Sequence, residues 1–354
     1  MSRFLNDRYQ SLDAYVPGEQ PRVKVLKLNT NESPYPAGPK TVEAVCNATR
    51  AEGLNRYCDP DAKALKEALA NNYGVKSTNI FTSNGSDDIL NFAFMAFADE
   101  GVMFPEISYG FYPVFAELHH LDFERVPLCD DWTIDPDDYI ARNKMVVIAN
   151  PNAPTGREMA QADIARICES NPNNLVLIDE AYVDFGAKSA IPLIGRYDNL
   201  LVVQTFSKSR SLAGARLGFA LGSEAIIADL EKIKFSTNPY NVNTITAAAG
   251  VAAIAEQDYY DEKCRLIVEA RDYTVDKMKN LGFDVVPSST NFIFARHETI
   301  DGKRLYEILK ARNIVIRHFN DEKIAQYNRI TIGTLEEMET FIEELTRVVL
   351  EETR

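Results

Sequence analysis

Thr205-Phe206-Ser207-Lys208-Ser209-Arg210-Ser211-Leu212-Ala213-Gly214-Ala215-Arg216-Leu217-Gly218 is the stretch whose reading decides the fold. It follows Leu200-Leu201-Val202-Val203, an apolar run with the length and composition of a buried strand. Where the run stops, hydroxyls, one lysine, two arginines and two glycines crowd together. A lysine at such a strand end is placed to condense with an aldehyde, while Ser207 and Arg216 hold an anion carried by the same molecule. A polar loop with a solvated lysine has the same composition, so the segment gains its meaning from the rest of the chain.

The strands upstream supply that context. Met145-Val146-Val147-Ile148-Ala149 ends in Asn150-Pro151-Asn152-Ala153-Pro154-Thr155-Gly156, and Leu175-Val176-Leu177-Ile178 ends in Asp179-Glu180-Ala181-Tyr182. Between them Gln161–Glu169 has helical spacing. Ile80-Phe81-Thr82 runs into Ser83-Asn84-Gly85-Ser86-Asp87-Asp88 and an apolar helix expected over 89–97. Val102-Met103-Phe104 precedes Ser108-Tyr109-Gly110-Phe111-Tyr112-Pro113 and a helix ending near His120. Strands alternating with helices predict an α/β domain with a mostly parallel central sheet between helical layers. Ligands of such sheets collect beyond the carboxyl ends of the strands. Asn152, Asp179, Tyr182 and Lys208 all stand just past those ends.

The flanks read differently. Residues 1–40, broken by Pro17, Pro21, Pro34, Pro36 and Pro39, form an extended arm expected to pack on a neighbouring domain. Residues 41–249 are the large domain, opened by a helix from Thr41 and a second over 62–73 with Asp61 as its cap. From Gly250 to Arg354, long helical stretches and short strands predict a smaller α+β domain.

Bulk properties bound the function. The 354 residues are 45% hydrophobic, enough for a large core with a smaller one beside it. A net charge of −14 argues against nucleic acid or anionic membranes as partners. The opening Met1–Tyr9 lacks the apolar core of a secretory signal, and no run is long enough for a bilayer. Five scattered cysteines without a C-x-x-C pair read as reduced thiols of a cytoplasmic protein. The four histidines have no metal-ligand spacing, so no metal is expected.

One cofactor needs this set of residues. Pyridoxal 5′-phosphate requires a lysine for its aldehyde, which is Lys208, and a carboxylate beside its pyridine nitrogen, for which Asp179 stands ready. Asn152 and Tyr182 offer an amide and a hydroxyl to the ring's phenolic oxygen, and Tyr109 a flat partner for the ring. Gly85, Ser86, Ser207 and Arg216 make a phosphate cradle at a helix N-terminus. The chain contains no G-x-x-x-x-G-K-[ST] loop and no G-x-S-x-G elbow.

These motifs, in this order and over nearly the whole length, resemble the fold-type I, class II aminotransferases. The narrower resemblance is to the histidinol-phosphate aminotransferases of histidine biosynthesis. It rests on Tyr15-Val16-Pro17-Gly18, Leu28–Pro34, Asn55-Arg56-Tyr57, Pro239-Tyr240-Asn241-Val242-Asn243 and Arg329–Thr334. The resemblance implies the pyridoxal-phosphate transferase fold and adds Asp87 and Thr205 to the phosphate site. It implies a homodimer in which Tyr57 reaches the neighbouring subunit's cofactor phosphate. It gives Arg329 the α-carboxylate of glutamate, and Arg317 and Arg329 together the phosphate of histidinol phosphate. Tyr15, Asn31 and Asn291 become further substrate-binding candidates. Two departures stand out. Ser209-Arg210-Ser211 is more polar than the family's residues after the lysine, and Ala153 stands where a second asparagine is usual. Aromatic amino-acid transamination, threonine-phosphate decarboxylation and a non-catalytic effector domain on the same scaffold are the competing functions.

Overall fold

A computed structural model describes residues 2–10, 12–15, 17–50 and 54–353; Val16 of the Tyr15–Gly18 run lies outside them, as do residues 1 and 354 at the edges of the expected domains. In chain order the elements are β1 (Leu26–Lys27), α1 (Pro39–Arg50), α2 (Lys63–Tyr73), β2 (Ile80–Ser83), α3 (Ser86–Phe97), β3 (Val102–Pro105) and α4 (Phe111–Leu118). There follow β4 (Phe123–Val126), β5 (Met145–Ala149), α5 (Gln161–Ser170), β6 (Val176–Asp179), β7 (Leu200–Thr205), β8 (Gly218–Gly222), α6 (Glu224–Thr237) and α7 (Thr244–Ile254). The chain finishes with α8 (Gln257–Asn280), β9 (Phe283–Val286), β10 (Phe292–His297), α9 (Gly302–Ala311), β11 (Ile314–Val315), β12 (Arg317–His318), β13 (Asn328–Thr331) and α10 (Leu335–Glu352).

Seven strands form the central sheet in the order β2-β8-β7-β6-β5-β3-β4. Only β8 runs against its neighbours; the remaining pairs are parallel. Because each residue of a strand alternates between faces, Val176, Ile178, Leu200 and Val202 pack into one apolar layer, with residues of α2, α5 and α7. Leu177, Leu201 and Val203 pack into the opposite layer, with residues of α3, α4 and α6. Burial on both faces explains why these strands read as unbroken apolar runs.

β8 has no counterpart in the strands expected from sequence. Its Gly218-Phe219-Ala220-Leu221-Gly222 is short and bounded by glycines, which reads as a loop until the sheet buries it. α6 and α7 follow it, capped by Ser223 and Asn243, whose side chains accept from the amides of Ile226 and Thr246. Gly250 lies inside α7, which packs on α1 and α2.

Two local expectations need correction. α3 begins at Ser86, one turn before 89, because Gly85 turns the chain at φ +94°. The cap of α2 is Asp59, not Asp61: Asp59 Oδ2 accepts from the Lys63 amide at 2.9 Å, and Ala62 in a left-handed conformation carries the chain into the helix.

A second, antiparallel sheet has the order β12-β13-β10-β9. Met278 of α8, Leu305 and Leu309 of α9 and Phe341 and Leu345 of α10 share a core with its Phe292, Ile293 and Ile330. Thr334 and Glu337 form a reciprocal capping box at the start of α10. β1 pairs in parallel with β11, Leu26 opposite Ile314, and Leu28 is buried in this second core. Among the described residues no helix is long and apolar enough to cross a membrane.

Candidate active site

The sheet registers assemble the site. Gly218 of β8 lies opposite Ser83 of β2 on one side and Thr205 of β7 on the other. The turn Asn84–Ser86 and the turn Phe206–Lys208 therefore leave the sheet side by side. Gly218 must be glycine, since a Cβ there would come within 2.4 Å of the Ser86 amide nitrogen. The close approach leaves the first turn of α3, with its unpartnered amides, facing a cavity of about 160 Å³. Ser86, Asp87, Thr205, Ser207 and Arg216 line it. Arg216, itself at φ +54°, donates to Asp87 at 2.9 Å and to Ser207 Oγ at 3.4 Å. Tyr109 donates to the other Asp87 oxygen at 2.8 Å. A helix N-terminus, three hydroxyls and a guanidinium on one small cavity make an anion cradle.

Asp179 closes the far end of the same cavity. Its Oδ2 accepts the Tyr112 hydroxyl at 2.9 Å and Oδ1 the Ala181 amide at 3.3 Å. Burial pushes this carboxyl up to about 6, against the pull of the Tyr112 bond. A cationic ring nitrogen brought beside it would reverse that burden. Tyr112 escapes sequence reading because it sits among four aromatic residues in Tyr109–Phe115, where packing is the simplest account.

Lys208 and Tyr182 line both this cavity and a wider one. The Lys208 Nζ donates to the Thr30 carbonyl at 3.3 Å and lies 5.7 Å from the centre of the Tyr182 ring. The Tyr182 hydroxyl accepts from Asn31 Nδ2 at 3.0 Å. Asn152 is not at the wall. Its Nδ2 donates to the Ile107 carbonyl at 2.9 Å and to Thr155 at 3.1 Å, and its Oδ1 accepts from Ser108 at 2.9 Å. The amide is spent on holding its own loop against the Ile107–Ser108 turn, and Ala153 faces both cavities instead.

The wider cavity, about 400 Å³, opens between the two sheets. Tyr15, stacked on Phe111 at 4.1 Å, forms one wall; Arg317, Phe319 and Arg329 form another. Arg329 donates to the Asn29 carbonyl at 3.0 Å, and its buried Nε has no protein partner. Burial lowers its guanidinium from the ordinary value, and neighbouring Arg317 adds to that. Among the described residues neither arginine has a carboxylate within 4.0 Å. Asn31 lines this cavity, but Asn291 does not: it is fully buried and donates to the Asn31 carbonyl at 3.0 Å. Tyr57 stands apart, 82% exposed and stacked on Tyr240 at 4.4 Å.

Comparison with known proteins decides the family. Residues 23–345 match the family Aminotransferase class I and II. The chain belongs to it. A histidinol-phosphate aminotransferase of Chromohalobacter salexigens is 45% identical over 350 residues, 98% of this chain and 99% of that one. One from Clostridium botulinum is 42% identical over 352 residues, 99% of each chain. Among solved structures, histidinol-phosphate aminotransferase of Sinorhizobium meliloti in complex with pyridoxal 5′-phosphate superposes with a TM-score of 0.88. It is 25% identical and covers 99% of this chain and 100% of its own. The class I and II aminotransferases use pyridoxal 5′-phosphate, and the small cavity has the donors for it: an anion cradle at one end, a buried carboxyl at the other and an amine between.

Proposed function

We propose that this aminotransferase moves an amino group reversibly between L-glutamate/2-oxoglutarate and imidazole-acetol phosphate/L-histidinol phosphate. The observation that carries this reading is Arg329, a half-buried guanidinium whose buried Nε has no protein partner and which has no carboxylate partner among the described residues, next to Arg317 on the wall of the wider cavity. Two half-buried guanidinium groups side by side on a cavity wall, neither with a counter-ion among the described residues, favour an oxyanion from outside. A carboxylate or a phosphate meets two guanidinium forks equally well, which suits an enzyme that must take both substrates in turn.

The residues divide the work. The first amides of α3, with Ser86, Ser207 and Arg216, hold the cofactor phosphate, and Asp87 and Thr205 orient Arg216 and the Ser207 amide. Asp179 keeps the ring nitrogen protonated. Tyr109 provides a flat face, and Tyr182 a hydroxyl for the ring oxygen. Bound there, pyridoxal 5′-phosphate supplies the aldehyde and the electron sink. Lys208 would hold the aldehyde and move the proton at the substrate's α-carbon. Tyr15 and Asn31 shape the substrate chamber.

A homodimer completes the proposal, with Tyr57 crossing to the partner's phosphate site. Its exposed stack on Tyr240 leaves an aromatic pair on the surface, beside Asn241, which donates to Ser83 Oγ at 2.7 Å below the cradle. The division into an arm over 1–40, a large domain over 41–249 and a small one over 250–354 belongs to the same proposal. A cytoplasmic location accords with five free thiols.

The test is a half-reaction. Bleaching of the cofactor's visible absorption by histidinol phosphate and by glutamate, but not by phenylalanine, is the expected result. Equal bleaching by phenylalanine makes the enzyme an aromatic transaminase. Carbon dioxide release from phosphothreonine makes it a decarboxylase. Persistence of turnover in Lys208→Ala would remove Lys208 from its role.

A further inference from the structure

Asn31 belongs to the arm, Tyr182 to the strand end after β6 and Thr331 to β13, and the three meet in one directed chain of hydrogen bonds. The Asn31 amide N–H donates to Thr331 Oγ1 at 2.9 Å across a separation of 300 residues. Thr331 returns its own hydroxyl hydrogen to Asn31 Oδ1 at 3.0 Å. That exchange identifies which end of the Asn31 side chain is the oxygen, and leaves Nδ2 turned the other way. Nδ2 donates to the Tyr182 hydroxyl oxygen at 3.0 Å. The arrangement is held from behind by Asn291, which donates to the Asn31 carbonyl, and by the left-handed backbone of Asn31 at φ +55°, a conformation that asparagine tolerates.

A hydroxyl that accepts from Asn31 has its own hydrogen free. Among the described residues no protein acceptor takes it, and Tyr182 lines both cavities beside Lys208. We infer that Asn31 is a positioning residue that aims the Tyr182 hydroxyl hydrogen at the ring oxygen of the cofactor. The inference rests on the cofactor reading above and gives Asn31 a task distinct from touching substrate. It also has a reason to matter here. With the Asn152 amide spent on its own loop and Ala153 at the wall, Tyr182 carries the ring oxygen without a side-chain amide from that loop. A donor that swings is then a donor lost.

The test is the pH titration of the bound cofactor's visible absorption. A hydrogen bond to the anionic ring oxygen favours the deprotonated chromophore, so losing the bond raises the titration midpoint. Holoenzymes of the wild type, Asn31→Gly, Tyr182→Phe and the double variant are compared. Glycine removes the amide and keeps the left-handed backbone unstrained. Lys208, Arg329, Tyr15, Tyr109 and Tyr112 face Tyr182, Asp179 lines the same cavity, and all are unchanged in every variant, so differences report on the hydroxyl. Each single variant should raise the midpoint by about one pH unit, and the double variant no further than Tyr182→Phe alone. An Asn31→Gly midpoint equal to that of the wild type, or shifts that add in the double variant, overturns the inference. Thr331→Val provides the same comparison if Asn31→Gly does not fold: it frees the amide to turn and should shift the midpoint in the same direction, and no shift counts against the inference. A wild-type protein that gains no titratable visible band with pyridoxal 5′-phosphate instead refutes the cofactor reading.

Discussion

Tyr112 places its hydroxyl hydrogen on Oδ2 of Asp179 at 2.9 Å, with both side chains buried in the sheet's α3/α4/α6 layer and its edge. The bond is the largest pull toward ionisation on a carboxyl that burial pushes up. It leaves Oδ1 toward the small cavity with only the Ala181 amide as partner.

The cofactor-free enzyme should therefore lose stability as Asp179 ionises. Its folded value of about 6 stands above the ordinary 3.8, so the stabilisation present below pH 4 disappears as pH rises through 6. The ceiling is about 3 kcal/mol for two pH units. Cofactor-free Asp179→Asn lacks this dependence, and its advantage in melting temperature over the wild type should grow between pH 4 and 7. Glu180, pushed up to about 7 by burial, titrates nearby in both proteins and cancels to first order. With cofactor the order reverses in function: Asp179→Asn should slow amino transfer roughly a hundredfold or more, since the ring nitrogen loses its ionised partner. Paired melting curves and turnover measure both.

Gly218→Ala should damage the phosphate cradle without removing a polar group. The new methyl would stand 2.4 Å from the Ser86 nitrogen and 2.5 Å from the Gly85 carbonyl carbon, both backbone atoms that no rotamer change can move. Pushing the first turn of α3 aside costs about 1–3 kcal/mol. Cofactor affinity, read by titrating the cofactor-free protein, should fall by about tenfold or more.

Arg317 and Arg329 should separate by substrate. Arg329→Lys removes a fork that both substrates use, raising KM for glutamate and for histidinol phosphate by about 10- to 100-fold, the equivalent of a charged hydrogen bond. Arg317→Ala should raise KM for histidinol phosphate more than for glutamate. Steady-state kinetics with each substrate varied in turn reads the difference.

The α2 cap gives a prediction for stability alone. Asp59→Ala should destabilise the protein by about 1 kcal/mol in urea unfolding, while Asp61→Ala stays close to wild type. The Lys63 amide holds the Asp59 carboxyl below its ordinary range, so the cap is present above pH 4 and weakens as pH falls through that lowered value.

What was legible in the sequence depended on how each residue is used. Strands buried on both faces, such as Met145–Ala149 and Leu200–Thr205, announce themselves as apolar runs, and the polar groups just past their ends could be read as site residues. β8 could not be, because its meaning comes from the neighbours that sandwich it. Asn152 shows a different limit. Its position past β5 was right, yet which of two adjacent residues turns to the cavity depends on side-chain direction, and Ser108, Ile107 and Thr155 decided that. Asn291 and Tyr112 traded places in the same way: the expected ligand supports the backbone, and the unremarked tyrosine touches the site carboxyl.

The pairing of Leu26 in β1 with Ile314 in β11, and the hydrogen bonds of Asn31 to Thr331 in β13, join the start of the chain to strands near its end. During synthesis on the ribosome the arm has nothing to pair with until nearly all of the protein has been made. The strands of the central sheet and the residues of its anion cradle all lie before residue 223. Closing a loop of that length is among the last events open to a folding chain. Tyr182 is thus held by a contact that exists only once Thr331 has been made, so a product truncated before that residue could carry the cradle and Lys208 yet lack the Asn31 chain of hydrogen bonds.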